Sequence, residues 1–327
     1  MATLPLRWGL LSTAKINQAL IIPLRASKRN ILTAVASRTQ QAADAYARQW
    51  KISHAFGSYE DMLASADIDV VYNSLPNHLH TEWTINAMEA GKHVLCEKPM
   101  GLTTAEVDAI AAASKKTGKV VAEAFMYRHH PQTLKARELV QEGRIGRLQA
   151  IRGAFTFKMN TDVNIRLVPE MGGGSIWDVG CYPISYARFI AGAEPVEVFG
   201  QQVTGVSGID DSFFGQMKFP ADVFAQFDSG FRTPFRTHIE IIGSEGTITI
   251  PSPFKPGLKE TILLCRNEKV EKIPVPSKEL YIGEVEDMAD CILHGKSPHM
   301  SLADSRANTA VIVALLESAQ RGQPVRL

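Results

Sequence analysis

Short apolar runs alternate with longer amphipathic stretches over residues 1–125. Amphipathic periodicity predicts helices in the longer stretches, and Pro23 is a position where the first helix is expected to break. Strands that alternate with helices are typical of βαβ units. The pattern therefore predicts an α/β fold whose first half is a Rossmann domain with a parallel, doubly wound sheet. The predicted strands are Leu6–Leu11, Ile31–Ala36, Val70–Ser74, His93–Cys96 and Val120–Ala124, and the predicted helices are Lys15–Ser27, Gln40–Trp50, His78–Ala90 and Thr104–Thr117.

The pattern changes after residue 125, where short strands follow one another closely. Closely spaced strands joined by turns favour a mostly antiparallel sheet. We therefore predict a dinucleotide-binding Rossmann domain at 1–124 and a second α/β domain at 125–327. In this second domain, strands are expected at 148–157, 196–204, 212–219, 223–228, 237–243, 246–250 and 261–266, and helices at 132–141, 178–191, 282–294 and 301–321.

Composition and charge exclude several classes of protein. Lysine plus arginine number 35 and aspartate plus glutamate 34, so a formal charge of +1 gives no reason to expect nucleic acid or an anionic membrane as a partner. No apolar run approaches the roughly 20 residues that span a bilayer. The four cysteines lack metal-site or disulfide spacing, so we expect no metal. The start of the chain lacks signal-peptide features, and a reducing, cytoplasmic location is expected.

The turn after the first strand is the expected site of a dinucleotide pyrophosphate, which binds free backbone N–H groups at a helix N-terminus. This turn reads Ser12-Thr13-Ala14-Lys15-Ile16-Asn17, so every glycine of the G-x-G-x-x-G fingerprint is replaced. The small residues Ser12 and Ala14 still allow close approach of the backbone, and Lys15 adds a positive charge.

The second strand is followed by Ser37 and Arg38. An acidic residue at this position would bind the ribose hydroxyls of NAD, whereas an arginine and a small hydroxyl suit the 2′-phosphate of NADP. Arginine offers a planar, permanently charged fork for phosphate. The alternative is a solvated arginine at the start of a helix. We favour the phosphate interpretation and expect NADP in preference to NAD.

Two further strand ends carry candidate residues. After the third strand, Leu75 and Pro76 are placed to contact a cofactor, and Asn77 is placed to cap the next helix. His78 and His80 have metal-ligand spacing, but helix capping and packing are the favoured roles.

After the fourth strand, Lys98 places a positive charge where nicotinamide and substrate would meet. It can bind a substrate hydroxyl or lower the pKa of a neighbouring acid. A surface ion pair with Glu97 is the alternative, and Pro99 is a candidate cis proline.

In the second half, Gly172-Gly173-Gly174-Ser175 leads into a predicted helix that carries Asp178 and Tyr182. Residues four apart lie on one face of a helix. A nearby ammonium would lower the pKa of the tyrosine and help it to exchange a proton with a substrate hydroxyl. The alternative is that Asp178 is an N-cap and Tyr182 a core-edge aromatic.

These motifs together resemble the Gfo/Idh/MocA oxidoreductases. The resemblance rests on Glu97-Lys98-Pro99 after Ala90–Cys96, on Pro76-Asn77 with His80, on Tyr127–Pro131, on Gly143–Gly146, and on the triple glycine with Asp178 and Tyr182. It implies an N-terminal Rossmann domain and a C-terminal α/β domain with an open, predominantly antiparallel sheet. That domain would bind substrate and mediate homodimers or homotetramers through the sheet.

The resemblance also implies hydride transfer between a nicotinamide cofactor and a carbohydrate or related alcohol. It makes Lys98 the active-site lysine and Tyr182 the proton donor or acceptor. Asp178 is the third predicted catalytic residue, placed to orient the sugar or the tyrosine. With a tyrosine at position 182, the chain resembles the NADP-dependent branch of the family. This branch contains glucose–fructose oxidoreductase, xylose dehydrogenase, dihydrodiol dehydrogenase and sugar ketoreductases. The predicted cofactor-binding residues are Ser12, Thr13, Ala14, Lys15, Ile16, Ser37, Arg38, Leu75, Pro76, Asn77, His80, Glu97, Lys98 and Arg128.

The leading functional hypothesis is an NADP-dependent aldose 1-dehydrogenase for a sugar such as xylose or glucose. A ketosugar reductase or a trans-dihydrodiol dehydrogenase is the alternative that the same residues would serve. An enzyme that keeps its nicotinamide bound and moves hydride between two sugars is a third. A non-catalytic NADP-binding regulator is the alternative of another class. Specificity is expected from the second half, with Phe155, Phe157, Arg166, Trp177 and the segment near Tyr281 as candidates.

Overall fold

The computed structural model describes residues 5–161 and 163–327. The chain forms two compact units. The first contains the chain up to Met126 together with Tyr281–Arg306, and the second contains Tyr127–Leu280 and Ala307–Leu327. Tyr281–Arg306 pack within the first unit, although they lie in the segment 125–327 that the sequence pattern assigns to the second domain.

A six-stranded, entirely parallel sheet forms the centre of the first unit, in the order β3-β2-β1-β4-β5-β6. This confirms the predicted Rossmann topology. The sequence pattern missed β3, whose three residues are too short for a periodic signal. The strands are β1 Leu6–Leu11, β2 Asn30–Ala36, β3 His54–Phe56, β4 Val70–Asn73, β5 His93–Glu97 and β6 Val121–Ala124, and the helices are α1 Asn17–Ala26, α2 Gln40–Trp50, α3 Tyr59–Ala64, α4 His80–Glu89 and α5 Thr104–Thr117.

Helix α1 continues through Pro23, so the expected break is absent. A proline inside a helix removes one backbone hydrogen bond and crowds the preceding turn. Pro23 is buried together with Leu20, Ile21 and Leu24. Packing of this apolar face against the sheet therefore outweighs the local cost.

Apolar side chains cover both faces of the parallel sheet, as expected where helices flank each side. On one face Trp8 and Leu10 pack in a cluster that includes Val285 and Met288. These two residues belong to α8, Ile282–His294. The apolar face of α8 completes this part of the core, which explains why a segment late in the chain belongs to the first unit.

The second unit is built on a nine-stranded sheet in the order β14-β13-β12-β11-β7-β10-β9-β8-β15. Neighbouring strands are antiparallel except for β7 and β10, which confirms the predicted mostly antiparallel sheet. The sequence pattern missed β14 and β15. The strands are β7 Leu148–Thr156, β8 Glu197–Thr204, β9 Asp210–Lys218, β10 Phe224–Gly230, β11 Arg236–Gly243, β12 Thr247–Ile250, β13 Glu260–Arg266, β14 Lys269–Val275 and β15 Val325–Arg326; the remaining helices are α6 Pro131–Gln141, α7 Cys181–Ala191 and α9 Leu302–Arg321.

Candidate active site

The candidate cofactor residues of the first unit follow the carboxyl ends of β1, β2, β4 and β5. Because the strands are parallel, these ends lie along one edge of the sheet, where open α/β sheets bind their ligands. The topology therefore brings the four predicted turns of this unit to a common edge.

A serine takes the place of the first glycine in the β1–α1 turn. Ser12 adopts a φ of +145°, a conformation that side chains rarely permit. Its Oγ lies 2.9 Å from the Oγ of Ser74, which follows β4, and accepts a hydrogen bond from the backbone N–H of Ala14 at 3.1 Å. These side-chain contacts hold the turn in a conformation that glycine would otherwise supply.

Asn17 completes this network, although it is not among the cofactor-binding residues predicted above. Its Nδ2 donates to the carbonyl oxygen of Ser12 at 2.7 Å, and its Oδ1 accepts from the Oγ of Ser74 at 2.6 Å. Asn17 is fully buried. The signal that could have found it is its place in the last glycine position of the fingerprint.

The N-terminus of α1 fits a pyrophosphate. Lys15 and Ile16 are exposed, and no acceptor in the described ranges 5–161 and 163–327 bonds their backbone N–H groups. No side chain caps this end of the helix. Free N–H groups and the positive end of a helix dipole favour a phosphate here. Thr13 and Ala14 are half-buried in the same turn.

Ser37 and Arg38, which follow β2, differ in their exposure to solvent. Ser37 is buried, and its N–H donates to the carbonyl oxygen of Phe56 at 3.0 Å. Arg38 is exposed, and within the described part of the chain no carboxylate forms an ion pair with it. Helix α2 is capped by Thr39 instead. Burial raises the pKa of Tyr59, and the positive charge of Arg38 opposes that shift.

His80 joins the turn after β4 to the turn after β5. The ring is 1% exposed; its Nδ1 lies 2.7 Å from the carbonyl oxygen of Pro99 and its Nε2 lies 2.7 Å from that of Leu75. Burial lowers its pKa to about 4. The two carbonyl contacts oppose this shift, because the neutral ring can donate from only one of its nitrogens. The buried ring lies between Leu75 and Pro99 and shapes the site through them, in agreement with the favoured packing role. Pro76 and Asn77 are half-buried in the same turn.

The end of β5 is held from within the first unit. The hydroxyl of the buried Tyr72 donates a hydrogen bond to Oε1 of Glu97. Burial, followed by the negative charge of Glu97, raises the pKa of Tyr72 well above its ordinary value. Lys98 is half-buried, and the Lys98–Pro99 peptide bond is cis, as the sequence suggested. The backbone that presents Lys98 is therefore fixed by Glu97 on one side and by His80 contacting Pro99 on the other.

The second unit carries Asp178 and Tyr182 on a helix that begins irregularly. Ile176–Gly180 form a π-helical turn, and α7 follows directly. Asp178 lies inside the π turn, so it is not the N-cap of a regular helix. The expectation of one regular α-helix from Asp178 onward is wrong, because a π turn closes hydrogen bonds one residue further along the chain. Such turns occur frequently at functional sites.

Asp178 forms an ion pair with Arg166. The Nε of Arg166 donates to Oδ2 of Asp178 at 2.6 Å. The Asp178 side chain is 13% exposed and that of Arg166 is 42% exposed. The structure thus brings together a predicted catalytic residue and a residue predicted only as a specificity candidate.

Aromatic side chains surround the ring of Tyr182. Phe155, Phe254 and Tyr127 have ring centroids 5.3, 5.4 and 5.7 Å from it. The hydroxyl of Tyr127 lies 3.4 Å from the backbone carbonyl of Tyr182. The position of the tyrosine ring is therefore set by packing, and Phe254 is a neighbour that no sequence motif indicated.

Arg128 is buried in the second unit. Its Nη1 donates to the Oγ of Ser185 at 3.0 Å, and its guanidinium lies 4.2 Å from the centroid of the Phe189 ring. These contacts anchor it to α7. Cofactor binding by Arg128 stays a prediction.

The described residues contain neither a metal-binding cluster nor a membrane-spanning helix. No group of three or more histidine, cysteine, aspartate or glutamate side chains among them could hold a metal ion. The helices among them are all too short or too polar to cross a membrane.

Known proteins share both halves of this architecture. The family described as oxidoreductases with an NAD-binding Rossmann fold matches residues 6–125, and the GFO/IDH/MocA C-terminal domain matches residues 133–249. An uncharacterised oxidoreductase of Rhizobium meliloti is 35% identical over 97% of each chain. The D-xylose 1-dehydrogenase (NADP(+)) 2 of Haloferax volcanii is 32% identical over 98% of this chain and 99% of its own. The trans-1,2-dihydrobenzene-1,2-diol dehydrogenase of Xenopus tropicalis is 28% identical over 95% and 97%.

Solved structures of oxidoreductases are similar to this chain over nearly its whole length. The aldose–aldose oxidoreductase of Caulobacter crescentus, complexed with glycerol, superposes with a TM-score of 0.92 at 27% identity, covering 99% of this chain and 100% of that one. A 3-ketoreductase of Actinomadura kijaniata, complexed with NADP and TDP-benzene, gives a TM-score of 0.91 at 26% identity and covers 96% and 98%. With family matches to both halves and relatives above 30% identity over nearly the whole length, this chain belongs to the Gfo/Idh/MocA family of oxidoreductases.

Proposed function

We propose that the protein is an NADP-dependent aldose 1-dehydrogenase acting on a sugar such as xylose or glucose. The observation that carries the proposal is its full-length similarity to the D-xylose 1-dehydrogenase (NADP(+)) of Haloferax volcanii. The similarity to an aldose–aldose oxidoreductase supports the same substrate class. The geometry of the first unit supports the choice of cofactor.

The residues present fit a bound NADP. The exposed N–H groups of Lys15 and Ile16 would bind the pyrophosphate, and Arg38 would bind the 2′-phosphate as a planar cation with no described carboxylate paired to it. Bound NADP would supply the hydride acceptor for oxidation of the sugar. The remaining proposed cofactor residues are Ser12, Thr13, Ala14, Ser37, Leu75, Pro76, Asn77, His80, Glu97, Lys98 and Arg128.

The catalytic roles are assigned to Lys98, Tyr182 and Asp178. Tyr182 takes the proton of the sugar hydroxyl as general base during oxidation and returns it during reduction. Lys98 binds the same oxygen, and its positive charge favours the ionised form of the tyrosine. Asp178 is held by Arg166 and orients the sugar. The joint action of Lys98 and Tyr182 rests on the resemblance to the family.

The charges beside Asp178 favour a neutral substrate. Arg166 is paired with Asp178, so the guanidinium already has an anionic partner. An acidic substrate would have to compete with that carboxylate. A neutral sugar can accept and donate hydrogen bonds while leaving the ion pair intact.

Assembly through the nine-stranded sheet is part of the proposal. Phe214 on β9 exposes 53% of its surface, and Phe235, which directly precedes β11, exposes 62%, although both are large apolar residues. Exposed apolar groups on a sheet favour burial against another surface. We assign this face to a homodimer or homotetramer, which sedimentation velocity would detect.

A second candidate is an oxidoreductase that retains its nicotinamide and transfers hydride between two sugars. The similarity to the aldose–aldose oxidoreductase favours this possibility. The 3-ketoreductase and dihydrodiol dehydrogenase relatives favour reduction of a ketosugar or oxidation of a diol by the same residues. A non-catalytic regulator has no comparable support among these relatives.

Absorbance at the reduced-nicotinamide band tests the proposal. NADP and NAD are each offered with a panel of aldoses, polyols and diols. Turnover with NADP and an aldose is the expected result, and turnover with NAD alone would contradict the role of Arg38. Sugar interconversion by the purified enzyme without added NADP would establish the second candidate. Turnover with diols only would assign the dihydrodiol alternative.

A further inference from the structure

A buried carboxylate outside the proposed catalytic set lies beneath the segment that carries Asp178 and Tyr182. Asp210, the first residue of β9, is 4% exposed. Its Oδ2 accepts hydrogen bonds from the Oγ of Ser175 at 2.7 Å and from the backbone N–H of Ile176 at 2.8 Å. Asp210 therefore contacts the first residue of the π turn.

These hydrogen bonds supply a cap that the helix itself lacks. Ser175 occupies the N-cap position of the π turn, but its side chain caps no N–H group of the turn. The first N–H groups of a helix need acceptors, and a negative charge at this end also interacts favourably with the helix dipole. Both requirements are met by a residue on β9, 34 positions further along the chain.

The glycine before Ser175 leaves room for the same carboxylate. Gly174 has a φ of +122°, and a Cβ at this position would lie 2.2 Å from Oδ1 of Asp210. The Oγ of Ser175 also lies 3.1 Å from that of Ser229 on β10. The triple-glycine motif thus leaves the space into which Asp210 reaches, so the glycine run and the aspartate form one structural unit.

Burial of the Asp210 carboxylate is energetically unfavourable, because a carboxylate is better solvated in water. Burial raises the pKa of Asp210 to about 6, although its hydrogen bonds favour the ionised form. Burying a charged group costs free energy unless hydrogen bonds to the surrounding protein compensate for the lost water. The hydrogen bonds that it makes end on the π turn, two residues before Asp178.

We propose that Asp210 is a positioning residue for the catalytic helix: its carboxylate fixes the start of the π turn and thereby sets where Asp178 and Tyr182 are presented. Loss of the anchor lets the turn shift or fray. A shift of about 1 Å at a catalytic group can lower turnover roughly 100-fold. The catalytic part of this inference rests on the proposed function, whereas the anchoring part stands on the hydrogen bonds alone.

Hydrogen exchange and kinetics test the two parts separately. Asp210→Asn keeps the shape but removes the negative charge and replaces one carboxylate oxygen by an N–H₂ group that cannot accept a hydrogen bond, and Ser175→Ala removes one donor with little change of volume. Asp211→Asn is the matched control, because it changes the next residue of β9, whose side chain points to the opposite face of the sheet. Amide exchange is followed by mass spectrometry on peptides that cover residues 174–184, and kcat and KM are measured with NADP and the best aldose.

We expect exchange of this segment to accelerate at least about tenfold in Asp210→Asn and less in Ser175→Ala, with the control unchanged. We expect kcat to fall roughly 10- to 100-fold in Asp210→Asn. The KM for NADP should stay within about twofold of wild type, since the proposed cofactor turns lie in the first unit, and a general loss of folding would raise it.

Unchanged exchange and unchanged kcat in Asp210→Asn would overturn the inference. If Asp210→Asn does not fold, Ser175→Ala decides, and an exchange rate equal to that of the control would likewise overturn it. If the wild-type enzyme turns over no aldose with either cofactor, the proposed function fails, while the exchange experiment still supports or rejects the anchor.

Discussion

The guanidinium of Arg166 forms an ion pair with the carboxylate of Asp178, with 2.6 Å between Nε and Oδ2, and Asp178 lies four residues before Tyr182. Because removal of either partner leaves a partly buried charge without its counter-ion, we expect Arg166→Ala and Asp178→Asn each to lower kcat/KM for the sugar roughly 10- to 100-fold. The double variant should be little worse than either single variant, as residues that act together are not additive. Steady-state kinetics of all three variants form the double-mutant cycle.

Arg144→Ala is the control for this cycle, because Arg144 forms an exposed ion pair with Glu271. Exposed pairs contribute little, so its kcat/KM should equal that of wild type. Strictly additive losses in Arg166→Ala and Asp178→Asn would show that the two residues act independently.

Tyr182→Phe should lower kcat by roughly 10²- to 10⁴-fold, because it removes the proposed general acid–base. Cofactor affinity should remain within about twofold, since the ring keeps its packing against Phe155 and Phe254. Steady-state kinetics and titration of NADPH fluorescence separate the two effects. Tyr186→Phe, one turn along α7 and fully buried, is the matched control. Near-normal turnover in Tyr182→Phe would remove the tyrosine from proton transfer.

Arg38→Ala should weaken NADP binding by about 10- to 100-fold, the effect of losing charged hydrogen bonds worth roughly 1.5–3 kcal/mol. NAD lacks the 2′-phosphate, so its affinity should change less than about twofold. Isothermal titration with both cofactors measures the difference. Arg48→Ala alters an exposed arginine of α2 and should leave both affinities unchanged. Equal losses for the two cofactors would assign Arg38 a role other than binding the 2′-phosphate.

Ser12→Gly should be more stable than Ser12→Ala by about 1 kcal/mol. Both variants lose the hydrogen bonds of the Ser12 Oγ, but only glycine relieves the positive φ of +145°. Chemical denaturation of the two variants beside wild type measures the order. If alanine were equally well tolerated, the backbone of the turn would have to relax away from this conformation.

His80 should make stability depend on pH. Its pKa in the folded protein is lowered from 6.5 to about 4, so the folded state favours the neutral ring. The stabilisation is present above pH 6.5 and is lost as pH falls through 4. The unfolding free energy of wild type relative to His80→Asn should therefore fall by about 3 kcal/mol between pH 7 and pH 4.

Denaturation of both proteins across this range gives that difference, in which shifts from other groups cancel. His54→Asn, at an exposed histidine, is the matched control variant. A constant difference between wild type and His80→Asn would show that the ring titrates alike in the folded and unfolded chains.

The sequence by itself determined the fold class and the strand ends at which the candidate site residues lie. Runs such as Leu6–Leu11 carry strand periodicity, and the residues directly after them reach the ligand-binding edge by connectivity alone. The turn at Ser12 and the Lys98–Pro99 pair could therefore be identified without coordinates. Local signals of this kind survive because strand and helix periods are properties of short segments.

Only the tertiary structure decided which distant residues meet. No local pattern links Asn17 to Ser74, Arg166 to Asp178 or Asp210 to Ile176, because these contacts depend on how separate elements pack. The π turn and the return of α8 to the first unit were likewise invisible, since an apolar helix face does not reveal its partner. Packing also overrode local preference at Pro23 and Ser12, where buried contacts outweigh an unfavourable backbone.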